Sequence, residues 1–351
     1  MLKKDKNEQR VKAQTIVAVF FIFLIIYIII IGLVAYFFPE TENKIVRKTV
    51  SIIPYPAAIS SSVFITTEKL QNHLSSAKRF YESQDFSQIG MRVDFGTEDG
   101  KKRLLIKEKN ILNKLIDDAI IEREARKKGI LIEQSLIDQI VDRKMKEYGT
   151  EDYLKNNLKK LYGWNIDDFK NNIVKPDLYQ EKMFAYIRKN DASFEDAREK
   201  INAAKADISK GMTFSEVAKK HSQGESAKNG GSLGWFSAKQ MLPEVAVAIF
   251  NLEKNKQSEI IESSIGFHII LVEDRKKQDN EEMFKISQIF IPVKTFTQWL
   301  LEVKKDYRIF VPIGKFTWNN EIKEVEFRDK SLQEYENDLL ENPINDPSVI
   351  F

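Results

Sequence analysis

Few residue types in this chain can do chemistry, and they stand apart. There is no cysteine, which excludes disulfides, thiol catalysis, zinc–thiolate sites and cysteine lipidation. His73, His221 and His268 are too far apart in sequence for metal-ligand spacing, so neither a metal nor a cofactor is expected. Three glycines cluster in "SAKNGGSLGWF", residues 226–236. Such a loop either cradles a phosphate or bends the chain. It lacks the G-x-x-x-x-G-K-[ST] spacing, and it lacks G-x-G-x-x-G after a strand. A bend that lets the backbone pass close to a neighbour is the better reading. Charged residues make up 30% of the chain but nearly cancel, to a net +3, so the balance gives no footing for nucleic acid.

The elements around that loop come next. Ser193 is placed to cap a helix carrying Ala197, Ile201, Ala204 and Ile208, which Gly211 stops. "TFSE" at 213–216 has the form of a capping box. Taken in order, F-x-x-x-A-x-x-x-S, S-A-x-x-G-G-x-L-G-W-F, M-x-P, F-x-L and G-F-H-I-I resemble the parvulin-type (PpiC, or rotamase) peptidyl-prolyl isomerase domain. The resemblance implies that Gly-Gly-x-Leu-Gly shapes one wall of a proline slot. Leu233, Phe236, Met241 and Val245 would line the slot, and His268 would lie on the last strand beside Ser263. Taken alone, the same residues read equally well as domain core and a sheet histidine. His221 and Trp235 are assigned to structure.

The chemistry asked of such a slot is modest. An X-Pro bond turns over a barrier of ~20 kcal/mol in tens of seconds. A site speeds this by holding the twisted amide better than the planar one, and no covalent nucleophile is needed.

Three departures bear on activity. Gly224 follows Ser222-Gln223 where the family often has Asp or Cys. Val245 stands where the family has an aromatic. The family's opening strand is missing from 180–195, yet "KISQIFIP" resembles it beyond the end of the motif. This points to a circular permutation in which 284–292 supplies the first strand, joined to 266–273 by a hairpin. A turn about residue 278 would set His268 opposite Gln288, where the family has its second histidine. The competing reading is that 284–292 opens an unrelated module.

Upstream, apolar residues recur with helical period. Ile111, Leu112, Leu115, Ile116, Ala119 and Ile120 form one stripe before Gly129. Leu136, Ile137, Ile140, Val141, Met145 and Tyr148 form a second before Gly149. Thr150 caps a third helix through Leu154, Leu158 and Leu161, closed by Gly163. A fourth starts near Asn165 and should break or kink at Pro176. By periodicity this is a self-burying bundle. In its order of elements it resembles the chaperone region of SurA-, PrsA- and PpiD-like foldases, which implies a surface that holds unfolded chains.

Residues 15–38 carry no charge and are long enough to span a membrane. Lys3, Lys4, Lys6, Arg10 and Lys12 precede them, which favours a cytoplasmic N-terminus.

The expected fold is α+β. It has a basic tail (1–14), a transmembrane anchor (15–38), an extended stalk (39–58) and a helical chaperone-like domain (59–190). A parvulin-like domain follows (191–292), with a four-stranded antiparallel sheet and flanking helices. A C-terminal extension (293–351) ends it, with a hairpin turning at Asn319-Asn320 and a mobile acidic tail. The expected role is a single-pass, cell-membrane foldase with its bulk extracytoplasmic, isomerising X-Pro bonds of exported, unfolded chains. The alternatives are a catalytically degenerate holdase of the same architecture, and a structural partner in an envelope complex.

Overall fold

The protein is described by a computed structural model over residues 2–37, 43–84, 94–278 and 281–341. Pro39, residues 279–280 and the last ten residues of the acidic tail lie outside the described residues. In chain order the elements begin with α1 (Leu2–Phe37), α2 (Lys44–Ile52), β1 (Pro56–Ile59), β2 (Phe64–Thr66), α3 (Thr67–Ser83) and α4 (Glu98–Lys127). Next are α5 (Gln134–Tyr148), α6 (Glu151–Asn157), α7 (Ile166–Phe169), α8 (Lys175–Asn190), α9 (Ala192–Ser209) and α10 (Phe214–His221). The chain continues through β3 (Ser232–Ser237), α11 (Pro243–Phe250), β4 (Lys256–Gln257), β5 (Ile261–Glu262), β6 (Gly266–Gln278) and β7 (Glu281–Pro292). It ends with α12 (Phe296–Lys304), β8 (Phe316–Asn319), β9 (Glu324–Phe327) and α13 (Lys330–Glu341). These fall into two units, one of residues 1–180 with 304–351 and one of 181–303.

In the first unit, the apolar stretch Thr15–Phe37 of α1 is 23 residues long, enough to cross a membrane. The region expected as an extended stalk is partly helical. Asn43 caps α2 by accepting the Ile45 N–H at 2.9 Å, and Val46 and Tyr55 bury against Ile31 of α1. Val46 and Val50 share one face of α2, and Ile53, extended just past its end, packs on the same cluster.

The α4 stripe is buried as its period predicts, at Leu112, Leu115, Ile116 and Ile120. Thr150 and Asn165 cap as expected. The chain does not break at Pro176. It winds one wider π-helical turn over Lys170–Val174 and continues into α8, which absorbs the missing N–H.

Residues 304–341 join this unit. The side-chain amide of Asn113 on α4 pairs with both backbone groups of Val325, at 2.7 and 3.1 Å. The hairpin turns at Asn319, whose side chain accepts the Glu321 N–H. Ile322 is an exposed turn residue. The acidic stretch after it, expected to be a mobile tail, is helical through Glu341. Asp329 accepts the Ser331 N–H, Leu339 is buried, and Glu336 pairs with Lys109 at 2.6 Å.

In the second unit, α9 starts one residue before the expected cap. Asp191, not Ser193, is the N-cap, because its carboxylate accepts the Ser193 N–H at 2.9 Å. The sheet has five strands rather than four, in the order β3-β7-β6-β4, with β5 also on β6. Ser258 causes the division. Its hydroxyl, not a carbonyl, accepts the Ile270 N–H at 3.0 Å, so the edge pairing is split between β4 and β5.

The long β6 and β7 pair antiparallel along their length. Their side chains alternate. One face packs Ile270, Val272, Phe284 and Ile286 against Val245 and Ile249 of α11. The other presents Phe267, Ile269, Ile289 and Ile291, with α9 and α10 packed on these strands.

Candidate functional site

The glycine-rich loop is a bend, and its neighbours explain why. Glu225–Asn229 form a short 3-10 turn that Gly230 closes in the left-handed region, at φ 67°. Gly231 follows at φ 87°. A Cβ there would sit 2.6 Å from the Gln288 carbonyl oxygen and 3.1 Å from the Ala218 Cβ. The bare backbone comes close enough for the Gln288 N–H to donate to the Gly231 carbonyl at 2.8 Å. From this anchor β3 runs along β7, pairing Trp235 with Lys285 and Phe236 with Phe284.

Five of the seven residues singled out by sequence come together on one sheet face, that of α11. Phe236 and Met241 pack half-buried on the cluster around Ile270 and Phe284. Val245 lies within that cluster at 5% exposure, so it supports the surface from below. His268 is two residues from Ile270 on the same strand, and Gln288 pairs opposite Ile270. Leu233 is more open, at 39% exposure, on the loop edge. Ser263 follows β5 and sits under His268.

The expected pairing of His268 with Gln288 is corrected. His268 stands opposite Phe290, two residues further on. The hairpin turns beyond Gln278, pairing it with Glu281, and a bulge between Val272 and Asp274 takes up one residue. A shift of two preserves the face, so Gln288 remains a diagonal neighbour of His268.

His268 is held by Ser263 at Nε2 and covered by Phe290 on one ring face. Ser263 Oγ donates to the Gly266 carbonyl at 3.1 Å and accepts the Ile265 N–H at 3.2 Å. With its one proton committed, it accepts from His268 Nε2 at 2.7 Å. The Phe290 ring stacks on the imidazole at 4.8 Å and 29°. At 2% exposure, burial pushes the His268 pKa down to about 4, and the more distant Glu244 opposes this weakly. His268 is therefore a neutral imidazole near neutral pH, with Nδ1 buried and unpartnered.

Three contributors were not singled out by sequence as part of the site: Phe290, Ser222 and Gln223. Phe290, which covers His268, became visible only with the true register. Ser222 and Gln223 extend the β3 edge: Ser222 Oγ accepts the Phe290 N–H at 3.0 Å, and the Gln223 N–H donates to the Phe290 carbonyl at 2.8 Å. Gly224 follows at φ −77° and lies above Phe290; a Cβ there would be 3.6 Å from the Phe290 ring. His221 belongs to structure, bonded to Asp207 at 2.8 Å, and Lys276 covers the Trp235 ring.

The first unit holds a separate cavity of about 910 Å³, lined in part by Lys69, His73, Tyr162, Trp164, Asn171 and Asn172. Phe80, Tyr162 and Trp164 stack in sequence at 5.2 and 5.3 Å, and the His73 ring meets Trp164 edge-on.

Residues 182–274 match the family model described as the rotamase, PPIC-type PPIASE domain. Among curated proteins, the foldase protein PrsA of Halalkalibacterium halodurans is 28% identical over 215 residues, which are 54% of this chain and 64% of that protein. The chaperone SurA of Methylobacillus flagellatus is 39% identical over 84 residues, 24% of this chain and 19% of that protein. The chain thus spans less than two thirds of either relative's length. A crystal structure of the peptidylprolyl isomerase PrsA from Bacillus anthracis aligns with 67% of this chain and 98% of its own, at 20% identity and a TM-score of 0.21. Residues 182–274 are therefore a parvulin-type, PPIC-class rotamase domain, carried in a chain homologous to proteins named foldase PrsA and chaperone SurA.

Proposed function

We propose that this chain is a membrane-anchored foldase that isomerises X-Pro bonds in unfolded, exported polypeptides, with α1 as its single span and residues 39–351 extracytoplasmic. The observation that carries the reading is one sheet face of the rotamase domain. There Phe236 and Met241 offer an apolar surface on the same face that carries the His268–Ser263 pair further along the strands. In this reading the proline ring rests on Leu233, Phe236 and Met241, and Val245 backs them. Gln288 offers an amide to the substrate backbone. His268, buried and neutral, acts as a positioning residue that Ser263 fixes. Strand β7 takes the place of the family's first strand, which makes the domain a circular permutation; its antiparallel pairing with β6 supports this. The aromatic-walled cavity of the first unit is proposed to hold extended clients.

A second reading has its own support. Gly224 brings no polar side chain over Phe290, and Gln288 does not titrate near neutral pH. A holdase that binds such clients without isomerising them fits those two positions.

The full chain in detergent micelles, assayed on a short X-Pro peptide, separates the two. Isomerase activity should exceed the uncatalysed rate and fall on Met241→Ala. A rate equal to the uncatalysed one removes the enzyme reading. Under the holdase reading, Trp164→Ala should still weaken suppression of client aggregation.

A further inference from the structure

Helix α2 lies beside the apolar helix, not beyond its end. The Thr49 hydroxyl is 3.1 Å from that of Tyr27, and the Tyr55 hydroxyl donates to the Ile28 carbonyl at 2.7 Å. Tyr27 lies ten residues before Phe37, about 15 Å along a helix. Val46, Val50 and Ile53 fill the contact with α1. That leaves a flank of α2 on which Ile45 and Ile52 are 62% and 70% exposed. This flank continues the exposed apolar surface of α1, where Ile29, Ile30 and Leu33 are 50–55% exposed. Lys44 and Lys48 are also exposed, on the side of α2 away from the contact.

We propose that α2 is a second membrane element, packed on the outer end of α1 and bathed in lipid, with anionic phospholipid as its partner. Ile45 and Ile52 lie against acyl chains. Lys44 reaches outward along its aliphatic stem to headgroup phosphates. An apolar flank continuous with a spanning helix has no favourable place in water. Lys44, exposed at the start of α2, matches the charge of such headgroups. The inference rests on α1 spanning the bilayer.

The chain has no cysteine, so a single introduced cysteine carries a single label. The full chain is labelled with an environment-sensitive fluorophore as Ile52→Cys and reconstituted in vesicles of phosphatidylcholine and phosphatidylglycerol. Ile22→Cys on α1 and Val247→Cys on the exposed side of α11 are the references. Quenching by nitroxide lipid and protection from iodide are expected at 52 and 22, with the reverse at 247. Iodide quenching at 52 while 22 stays protected overturns the proposal alone. Iodide quenching at both 52 and 22 overturns the membrane span with it. At position 52, nitroxide phosphatidylglycerol should quench better than nitroxide phosphatidylcholine. That preference should fall about fivefold on Lys44→Gln. An unchanged preference removes the anionic partner.

Discussion

The Ser263 hydroxyl stands 2.7 Å from His268 Nε2, and both residues are almost fully buried. Removing the hydroxyl by Ser263→Ala orphans the imidazole N–H and the Ile265 N–H together. A buried donor without a partner costs about 1–3 kcal/mol. Urea unfolding should show a loss of this size. The loss should shrink in a His268→Phe background, where no imidazole proton remains to orphan. Equal losses in both backgrounds would mean that the hydrogen bond contributes nothing.

Burial of His268 sets a pH dependence. Its folded pKa of about 4 lies below the ordinary value of 6.5. As pH falls below 6.5 the unfolded chain takes up a proton that the folded one refuses. Stability from this group is thus complete above pH 6.5, declines down to about pH 4 and then levels. The full decline is about 3 kcal/mol. His268→Gln should flatten this part of the profile for the second unit. His73, whose pKa burial also lowers to about 4, leaves a similar slope in the first. Isomerisation should not vary between pH 6 and 9, because His268 stays neutral throughout. A rate that titrates near pH 6.5 would contradict a buried, neutral imidazole.

Gly231 and Gly234 both have positive φ, at 87° and 92°, but only Gly231 faces an obstacle. A Cβ on Gly234 meets nothing within 4 Å, whereas one on Gly231 runs into the backbone of Gln288. Gly234→Ala should cost only the left-handed penalty, about 1–2 kcal/mol. Gly231→Ala adds displacement of β7 and should cost at least twice as much. Chemical denaturation of the two variants checks the ratio. Similar losses would show that the loop yields at 231.

Much of this architecture was legible in the sequence, for identifiable reasons. The capping box Thr213–Glu216 and the α4 stripe depend on near neighbours, which periodicity reports directly. The pairing of β6 with β7 was legible because a hairpin joins strands adjacent in sequence. Its register was not, because the turn length and the bulge at Val272/Asp274 leave no clear mark in composition. The two-residue error kept Gln288 on the right face and hid Phe290. The helix at 330–341 was obscured by its acidity. Its stability comes from distant partners on α4, such as Lys109 for Glu336, which a local reading cannot supply. Asp191 displaced Ser193 as a cap because both types cap well and only the backbone path selects between them.

Gly224 decides most directly between an active slot and a silent one. Its φ of −77° suits any residue, so glycine is not required there. A Cβ would make ordinary contact with Phe290, at 3.6 Å. The position is also the N-cap of the 225–229 turn, with no side chain to cap it. Gly224→Asp should therefore fold at least as stably as the parent chain, since aspartate is a strong N-cap and glycine a weaker one. It also places a polar group over Phe290, the residue opposite His268. One preorganised polar contact at a twisting amide can change a rate by an order of magnitude or more. The variant should raise turnover of an X-Pro peptide about tenfold, and Met241→Ala should abolish the gain. Thermal unfolding run in parallel keeps the comparison clean. A folded Gly224→Asp chain with an unaltered rate would place the catalytic surface elsewhere on the domain.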